Sequence, residues 1–429
     1  MRVLRTLNGA DGEGLSVLLL GNDRPTVPVA AALHRMNYRV IVTRDCGKGY
    51  AQFSRHVSET WDHPPIEADA MFFSALGKFL RSRPDIRVVL PLWERCVTNL
   101  ARHRHLLPAD RLYACVDDET METCLDKSKM LSLAMECGMA NAAFTTVATY
   151  PSLIKATRAI GFPLVIRPTD PNRKLAGKKA LIADNARDLV SMLPIWPDGH
   201  KGLIAQRYID GRRINLYFAA QNGKPIRYLA TEILRTDELE GTGQAIEGRT
   251  IELDADIKRH GDALIERLGY HGVGTIQFLR DRGSSKLFFL ELNPRIAGNH
   301  AVPEACGLQL GPLALFLAEG DVHPKTLVIG RPGKRYVWTF GALGGIYRAL
   351  RARTVSPFFA CRFLGRMVFN AVRSPIHMTW RWTDPLPALA TAANHIPIVS
   401  WFVEAASRKR KPATPVTSSV DQFANRALR

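Results

Sequence analysis

Residues 275–300, TIQFLRDRGSSKLFFLELNPRIAGNH, decide the fold of this 429-residue chain. Two apolar runs separated by Arg-Gly-Ser-Ser at residues 282–285 predict two strands joined by a turn. Glu291 and Asn293 are two residues apart, so their side chains point to the same face of the second strand. Gln277 faces the same way if its strand lies beside that one. The stretch therefore predicts a group of side-chain oxygens at one edge of a hairpin.

Oxygens of Gln, Glu and Asn are hard ligands, which suit Mg²⁺ held against the phosphates of a nucleotide and also accept Mn²⁺. The alternative is a hairpin whose polar ends are simply solvated. We favour the metal site because Glu291 closes an apolar strand and is followed at once by Asn-Pro-Arg.

The composition is that of a folded protein with two or three domains, with 46% hydrophobic and 23% charged residues. Its net charge of +18 is concentrated at one end. Residues 331–429 contain 16 Lys and Arg against 3 acids, a balance of +13, whereas the first 330 residues contain 42 against 37, a balance of +5. The basic character therefore belongs to the C-terminal part of the chain.

The seven cysteines form no CxxC pair and no regular spacing, which favours free thiols in a reducing compartment over a disulfide framework or a zinc site. The N-terminal residues lack the apolar core of a signal peptide, and no uninterrupted apolar run has the length of a membrane span. These features predict a cytoplasmic protein.

The first part of the chain alternates strands and helices, which predicts a parallel α/β domain over residues 1–116. The predicted strands cover residues 16–20, 39–43, 87–90 and 112–116, and the predicted helices residues 27–36, 68–81 and 94–103. The first strand leads into GNDRPT at residues 21–26, which lacks the GxGxxG pattern of dinucleotide sites. We therefore do not favour a dinucleotide site there.

Several cations are placed to meet phosphates. Asp126 caps a predicted helix, so Lys127 is fixed in its first turn. Arg167 ends the apolar strand FPLVIRP, where burial needs an anionic partner, either a phosphate or a nearby carboxylate. The polar hairpin after it carries Lys174 and Lys178, which either close over phosphates or lie solvated on the surface.

Two further segments are expected near the site. The strand LIAQ at residues 203–206 leads into Arg207, Tyr208 and Ile209, a junction where a nucleotide base could lie. Residues 236–250 carry three glycines and are predicted to form a mobile loop near the site. Arg235, just before this loop, is a candidate for holding an acceptor carboxylate, with a plain surface arginine as the alternative.

Taken in order, the motifs DK at 126–127, FPLVIRP, AQRYIDG, TIQF and ELNPR resemble the ATP-grasp superfamily. ELNPR with its upstream glutamine is most similar to the nucleotide-binding halves of the carbamoyl phosphate synthetase large subunit. The resemblance covers about residues 117–320. It implies a pre-grasp α/β domain over 1–116 and an α+β ATP-grasp domain over 117–325. A basic helical region over 326–406 and a disordered tail over 407–429 complete the expected domains.

The resemblance also implies roles for individual residues. The phosphates of ATP would meet Lys127 and Arg167, with Lys174 and Lys178 from the hairpin. The adenine would meet the hinge residues Gln206, Arg207, Tyr208 and Ile209. Magnesium would be held by Gln277, Glu291 and Asn293, and the transferred phosphoryl group stabilised by Arg295. The chain departs from the family pattern at Arg207, where an acid is common.

The implied activity is that of an ATP-dependent carboxylate–amine ligase, in which a carboxylate attacks the γ-phosphate and an amine captures the acyl phosphate. One alternative is an enzyme related to carbamoyl phosphate synthetase, although that large subunit carries two grasp units and this chain has one. The other is a non-catalytic nucleotide-binding or membrane-recruited regulatory protein.

Residues 347–375 mix six arginines with aromatic and aliphatic residues, as in a basic amphipathic helix. The first interpretation is a helix pair packed on the enzyme with its arginines outward. The second is contact with an anionic membrane surface, which would place the protein at the inner face of the membrane. Nucleic acid is not favoured, because no binding module accompanies the charge.

Overall fold

The computed structural model describes residues 14–44, 49–169, 173–175, 177–192, 202–320 and 326–393. The predicted disordered tail over 407–429 lies outside the described residues, as does the end of the predicted C-terminal region after residue 393.

The first domain contains a five-stranded parallel sheet in the order β3-β2-β1-β4-β5. Its strands are β1 (Ser16–Leu20), β2 (Arg39–Arg44), β3 (Glu59–Asp62), β4 (Ile86–Pro91) and β5 (Leu112–Tyr113), and its helices are α1 (Thr26–His34), α2 (Asp69–Ser82) and α3 (Glu94–His103). The predicted parallel α/β fold is confirmed. Strand β3 was not predicted, because its sequence ETWD is too polar to stand out from a loop.

The strand order places a crevice at one edge of this sheet. β1 lies between β2 and β4, so the chain leaves β1 and β4 in opposite directions at their carboxyl ends. The backbone N–H groups of Leu92 and Trp93, which follow β4, both donate to Leu20 O at 3.0 Å. This pair of bonds holds the loop after β4 beside residues 21–25, which follow β1.

The second unit is a four-stranded antiparallel sheet in the order β6-β9-β7-β8. It contains β6 (Phe144–Val147), β7 (Leu164–Pro168), β8 (Leu181–Ala183) and β9 (Leu203–Arg207), with α4 (Asp118–Leu125), α5 (Lys127–Glu136), α6 (Tyr150–Ile160) and α7 (Ala186–Ser191) around it. The Asp126 carboxylate accepts hydrogen bonds from the N–H groups of Ser128 and Lys129, so α5 begins at Lys127.

The third unit is an eight-stranded sheet in the order β14-β13-β10-β11-β12-β16-β17, with β15 beside β11. Its strands are β10 (Gly211–Gln221), β11 (Lys224–Thr236), β12 (Ala245–Ile251), β13 (Gly272–Asp281), β14 (Leu287–Asn293), β15 (Val328–Ile329), β16 (Arg335–Val337) and β17 (Ile376–His377). The remaining helices are α8 (Ala255–Arg267), α9 (Ala301–Ala305), α10 (Leu310–Glu319), α11 (Thr339–Arg351), α12 (Pro357–Arg373) and α13 (Leu386–Ala393). The hairpin predicted within residues 275–293 is β13 and β14, paired antiparallel.

The predicted mobile loop over 236–250 is wrong for residues 245–250, which belong to β12. Gly248 does not serve flexibility there. It pairs with Tyr336 on β16, and a Cβ at this position would lie 2.2 Å from the ring atoms of that tyrosine. The glycine makes room for a buried aromatic side chain. The sequence alone does not show whether a glycine serves flexibility or close packing.

The C-terminal region is not only helical, because β15, β16 and β17 add strands to the eight-stranded sheet. Helices α11 and α12 pack together over a small apolar cluster that includes Ile246 of β12, Ile346 and Phe363. Their arginines at 351, 362, 366 and 373 are exposed, as expected for a helix pair packed on the enzyme. In the part of the chain that the structure describes, no helix is both long and apolar enough to span a bilayer.

We expect Gly248→Ala to destabilise the fold by about 1–3 kcal/mol, since the added methyl group overpacks against Tyr336. Chemical denaturation would measure the change in the free energy of unfolding. Gly365→Ala in α12 is the matched control. No atom lies within 4 Å of the methyl group that this change would add, so the helical substitution should be neutral or stabilising by about 0.5–1 kcal/mol. Equal stability of the two variants would contradict the packing role of Gly248.

Candidate active site

A cleft of about 1350 Å³ lies where the three sheets meet. Its lining comes from the loops after β1 and β4, from β7 and β9, from the paired strands β10, β13 and β14, and from α12. The loop at residues 237–244 covers one side, and this loop is tied down, since Arg348 of α11 pairs with Asp237 at 2.9 Å and with Glu238 at 3.2 Å. The C-terminal helices therefore help to shape the cleft.

The oxygen group predicted from the hairpin is assembled by strand register. Gln277 on β13 stands opposite Glu291 on β14, and Asn215 on β10 stands opposite Gln277. Asn293 Nδ2 donates a hydrogen bond to Glu291 Oε1 at 3.0 Å, which fixes both side chains. Within the described residues no group of three or more His, Cys, Asp or Glu is placed to hold a metal ion. A metal in this cleft would thus rely on the amide oxygens of Gln277 and Asn293 together with Glu291.

The electrostatics keep Glu291 ionised. Burial alone would raise the pKa of this carboxyl, but Arg167, the amide of Asn293, Lys127 and Lys179 outweigh burial and hold the pKa below its usual value. Arg167 Nη1 lies 3.9 Å from Glu291 Oε2. An ionised carboxylate among cations is prepared to bind a divalent cation and an anionic ligand together.

Arg167 and Lys127 both line the cleft beside Glu291. Arg167 is only 8% exposed, its Nη2 donates to Leu290 O at 3.3 Å, and its buried Nε has no hydrogen-bond partner. Burial lowers the pKa of Arg167, against the pull of Glu291. Lys127 Nζ donates to Thr169 O at 2.7 Å, so the lysine is held across the start of the polar hairpin.

The hairpin directs different cations into the cleft from those proposed from the sequence. All four of these cations are exposed, but Arg173 and Lys179 are among the residues that line the cleft, whereas Lys174 and Lys178 are not. Lys178 Nζ instead pairs with Glu240 Oε1 at 2.8 Å. Residue type alone could not show which members of a cation-rich turn point inward.

The four hinge residues 206–209 all line the cleft. Gln206 is buried, and Tyr208 is fixed by its backbone N–H, which donates to Pro163 O at 2.9 Å. Arg207 Nη1 donates to Ile160 O at 3.0 Å, at the end of α6. The guanidinium that replaces the common family acid is therefore engaged with the protein backbone.

The two predicted catalytic arginines lie in the cleft with protein partners. Arg295 Nη2 pairs with Glu94 Oε2 of α3 at 3.2 Å. Arg235 Nη1 pairs with the buried Glu247 at 3.5 Å, and its guanidinium stacks 4.0 Å from the ring centre of Phe363. Arg235 thus connects β11 to α12, while Arg295 connects the hairpin to the first domain.

Comparisons with known proteins show what this chain is similar to. Residues 250–325, which contain the whole hairpin, match the family model described as the carbamoyl-phosphate synthase L chain, ATP binding domain. The resemblance to the ATP-grasp superfamily that the motifs predicted is confirmed over these residues. Among solved structures with this fold is the biotin carboxylase domain of the 2-oxoglutarate carboxylase from Hydrogenobacter thermophilus, solved with MgADP, ADP and bicarbonate. It has a TM-score of 0.62 at 15% identity and covers 75% of this chain and 73% of that one.

Curated relatives match only in part. Biotin carboxylase 1 of Bacillus subtilis is 26% identical over 163 residues, which are 35% of this chain and 35% of that protein. D-alanine–D-alanine ligase of Xylella fastidiosa is 23% identical over 177 residues, 40% of this chain and 57% of that protein. The chain thus matches about a third of the length of the biotin carboxylase and a larger part of the ligase.

The sequence analysis missed two arginines that line this cleft. Arg213 lies on β10 two residues before Asn215 and faces the cleft, where its Nη2 donates to Gly243 O at 2.9 Å and its Nε lacks a partner. The alternation along β10 was a usable signal for it. Arg24, in the loop after β1, is brought to the cleft only by the meeting of the first and third sheets.

The depressed pKa of Glu291 makes its contribution to stability depend on pH. In the folded state the pKa lies below the unfolded value, so the ionised carboxylate stabilises the fold at neutral pH and loses this effect as the pH falls through the folded pKa. We expect Glu291→Gln to lower the free energy of unfolding at pH 7, and the difference from the native chain to shrink below about pH 4.

Urea denaturation at both pH values, without added metal, would test this expectation. Glu252→Gln, which changes an exposed carboxyl just after β12, is the control and should show a small, nearly constant difference. A Glu291→Gln difference that grows towards acid pH would contradict the depressed pKa.

Proposed function

We propose that the chain is an ATP-dependent ligase that joins a carboxylate to an amine through an acyl phosphate. The observation that carries the proposal is the ionised Glu291, flanked by Gln277 and Asn293 and faced by the buried Arg167 in one cleft. Paired amide and carboxylate oxygens among inward cations suit a metal-bound triphosphate better than a neutral ligand. The relatives named D-alanine–D-alanine ligase and biotin carboxylase support the same class.

The nucleotide would lie along the cleft from the hinge to the hairpin. Residues 206–209 would contact the base, and the phosphates would meet Lys127 and Arg167 together with Arg173 and Lys179. Gln277, Glu291 and Asn293 would hold Mg²⁺, which Mn²⁺ can replace, and the bound ion would neutralise charge on the phosphates. The MgADP in the solved biotin carboxylase domain supports this cofactor choice.

In both displacement steps the protein would position the reactants and stabilise the developing charge. In the first, a substrate carboxylate oxygen attacks the γ-phosphorus and the bond to the bridging oxygen breaks, releasing ADP. In the second, the amine lone pair attacks the acyl carbon, phosphate leaves with the C–O electron pair, and the amine proton passes to solvent. Arg213 and Arg295 lie where they can stabilise the transferred group, and neither step needs a side-chain nucleophile.

The alternative interpretations have less support. A non-catalytic role rested on Arg207 and on the basic C-terminal region. The Arg207 guanidinium donates to a backbone carbonyl at the end of α6. Arg235 is held by Glu247 and Phe363, so it is better placed to support α12 than to hold an acceptor carboxylate. A complete carbamoyl phosphate synthetase activity would need the second grasp unit.

Acyl phosphate formation can be tested without knowing the amine. We expect purified chain with ATP, Mg²⁺ and a panel of carboxylic acids to release ADP, and added hydroxylamine to trap the acyl phosphate as a hydroxamate. Glu291→Gln should lower the rate by about 10²–10³-fold, since charge stabilisation at the phosphates is lost. ADP detection and the ferric hydroxamate colour would measure both products.

Asp281→Asn, at the far end of β13 and outside the residues that line the cleft, is the control and should keep the native rate. ADP release that is independent of every acid, or that persists in Glu291→Gln at the native rate, would contradict the ligase proposal.

As a second, separate proposal, α12 contacts an anionic membrane surface. Phe358, Phe369 and Val372 are 79%, 56% and 83% exposed and share one side of the helix at intervals of 11 and 3 residues. Arg362 and Arg373 are exposed along the same helix, and Arg373 lies 5.1 Å from the ring centre of Phe369. Apolar side chains flanked by arginines complement an anionic lipid surface.

We expect the full chain to co-sediment with vesicles of phosphatidylglycerol and phosphatidylcholine at low salt, and less with phosphatidylcholine alone. The triple variant Phe358→Ser, Phe369→Ser, Val372→Ser should lose most of this binding. Met71→Ser with Met135→Ser removes two exposed apolar side chains elsewhere and should not. Absence of binding to the anionic vesicles would refute the membrane proposal.

A further inference from the structure

The loop after β1 presents an arginine with an unused donor to the cleft. Arg24 is 7% exposed, and two of its nitrogens are tethered, Nε to Gly298 O at 2.7 Å and Nη2 to Gln244 Oε1 at 3.0 Å. Its guanidinium also stacks 3.8 Å from the ring centre of Trp338. The remaining nitrogen, Nη1, is buried and has no hydrogen-bond partner. A charged donor left unsatisfied in a well-held side chain indicates a place for an anionic ligand.

The residue before it carries the opposite charge and is also incompletely bonded. Asp23 Oδ1 is buried without a hydrogen-bond partner, so it is not satisfied by the adjacent Arg24. Burial raises the pKa of Asp23 in spite of the nearby Arg24 and Arg295. A ligand ammonium would satisfy this oxygen and favour its ionised form.

The surroundings of the pair fit a small ligand. A Cβ on Gly298 would lie 2.8 Å from Arg24 Nη2, so a glycine is needed where the chain approaches the guanidinium. Tyr50 and Trp338 line the same part of the cleft as aromatic walls, and the buried Nε1 of Trp338 is another donor without a partner. This end of the cleft thus offers a cation, an anion and apolar surface together.

Asp23 and Arg24 line the same cleft as the side-chain oxygens of the β13–β14 hairpin. Asp23, Arg24, Arg295 and Glu291 all line one continuous cleft, and Asp23 lies close enough to Arg295 to be influenced by its charge. Arg295 follows β14 directly after Asn293 and Pro294. A ligand held by the loop after β1 would therefore lie beside the position of phosphoryl transfer.

We propose that Asp23 and Arg24 bind the ammonium and carboxylate groups of an α-amino acid, which is the amine substrate of the ligase. The inference rests on the proposed ligase function for the role of the ligand, though not for its binding. Arg24 holds the carboxylate of the amino acid, and the ammonium group at Asp23 releases one proton to solvent before its lone pair attacks the acyl carbon. The first domain thus selects the acceptor while the second and third sheets hold the nucleotide.

Isothermal titration calorimetry of the full chain with the twenty common L-amino acids and with D-alanine, in the absence of ATP, tests the binding. We expect at least one amino acid to bind, and Asp23→Asn, which keeps the shape of the side chain, to weaken it by about 10- to 100-fold. Arg24→Lys should weaken it by a similar factor but leave the binding of the corresponding amino acid amide, which lacks the carboxylate, unchanged. Arg39→Met, at an exposed position on β2, is the control and should bind as the native chain does.

The result separates this inference from the ligase proposal. Hydroxamate formation with no binding of any amino acid would overturn the inference and leave the ligase function standing. Amino acid binding that depends on Asp23 and Arg24, without hydroxamate from any acid, would support the subsite and count against the ligase function. A loss of amide binding equal to the loss of amino acid binding in Arg24→Lys would show that Arg24 acts only on the fold.

Discussion

The junction of two sheets depends on the buried guanidinium of Arg167 and its contacts with the end of β14. Arg167 belongs to the four-stranded sheet, yet its guanidinium donates to Leu290 O and faces Glu291, both on the eight-stranded sheet. A buried charge of this kind is costly unless its partners are in place. The same contact that joins the two sheets therefore also fixes the carboxylate at the centre of the cleft. A change to either residue would therefore alter both the contact between the sheets and the charge in the cleft.

Side chains of the C-terminal region hold residues of the cleft in position. Arg348 holds the loop at 237–244, Phe363 supports Arg235, and Trp338 supports Arg24. Two short strands, β16 and β17, extend the same sheet that carries Gln277, Glu291 and Asn293. The C-terminal region, which carries most of the net positive charge, thus has arginines on the surface, such as Arg362, and one that lines the cleft, Arg366.

The sequence predicted those features of the fold that depend on residues close together in the chain. The cap at Asp126 and the hairpin of β13 and β14 follow from residues close together in sequence, and both could be predicted. The role of Arg24 could not be predicted, because its contact with Gly298 spans 274 residues and depends on how the sheets meet. A related reason applies to the hairpin after β7, where Arg173 and Lys179 line the cleft and Lys174 and Lys178 do not, since residue type shows the charge of a side chain and not its direction.

The two walls of the cleft that flank the loop after β1 are made at different times during translation. The cleft needs Asp23 and Arg24 from the start of the sequence and Trp338 from near its end, and Ser54 is joined to Asp384 across 330 residues. The half of the cleft that the first domain supplies has no opposite wall until Trp338 and the segment around Asp384 have been synthesised. A chain that stops before Trp338 would therefore lack the aromatic side chain that supports Arg24, and its cleft would be incomplete.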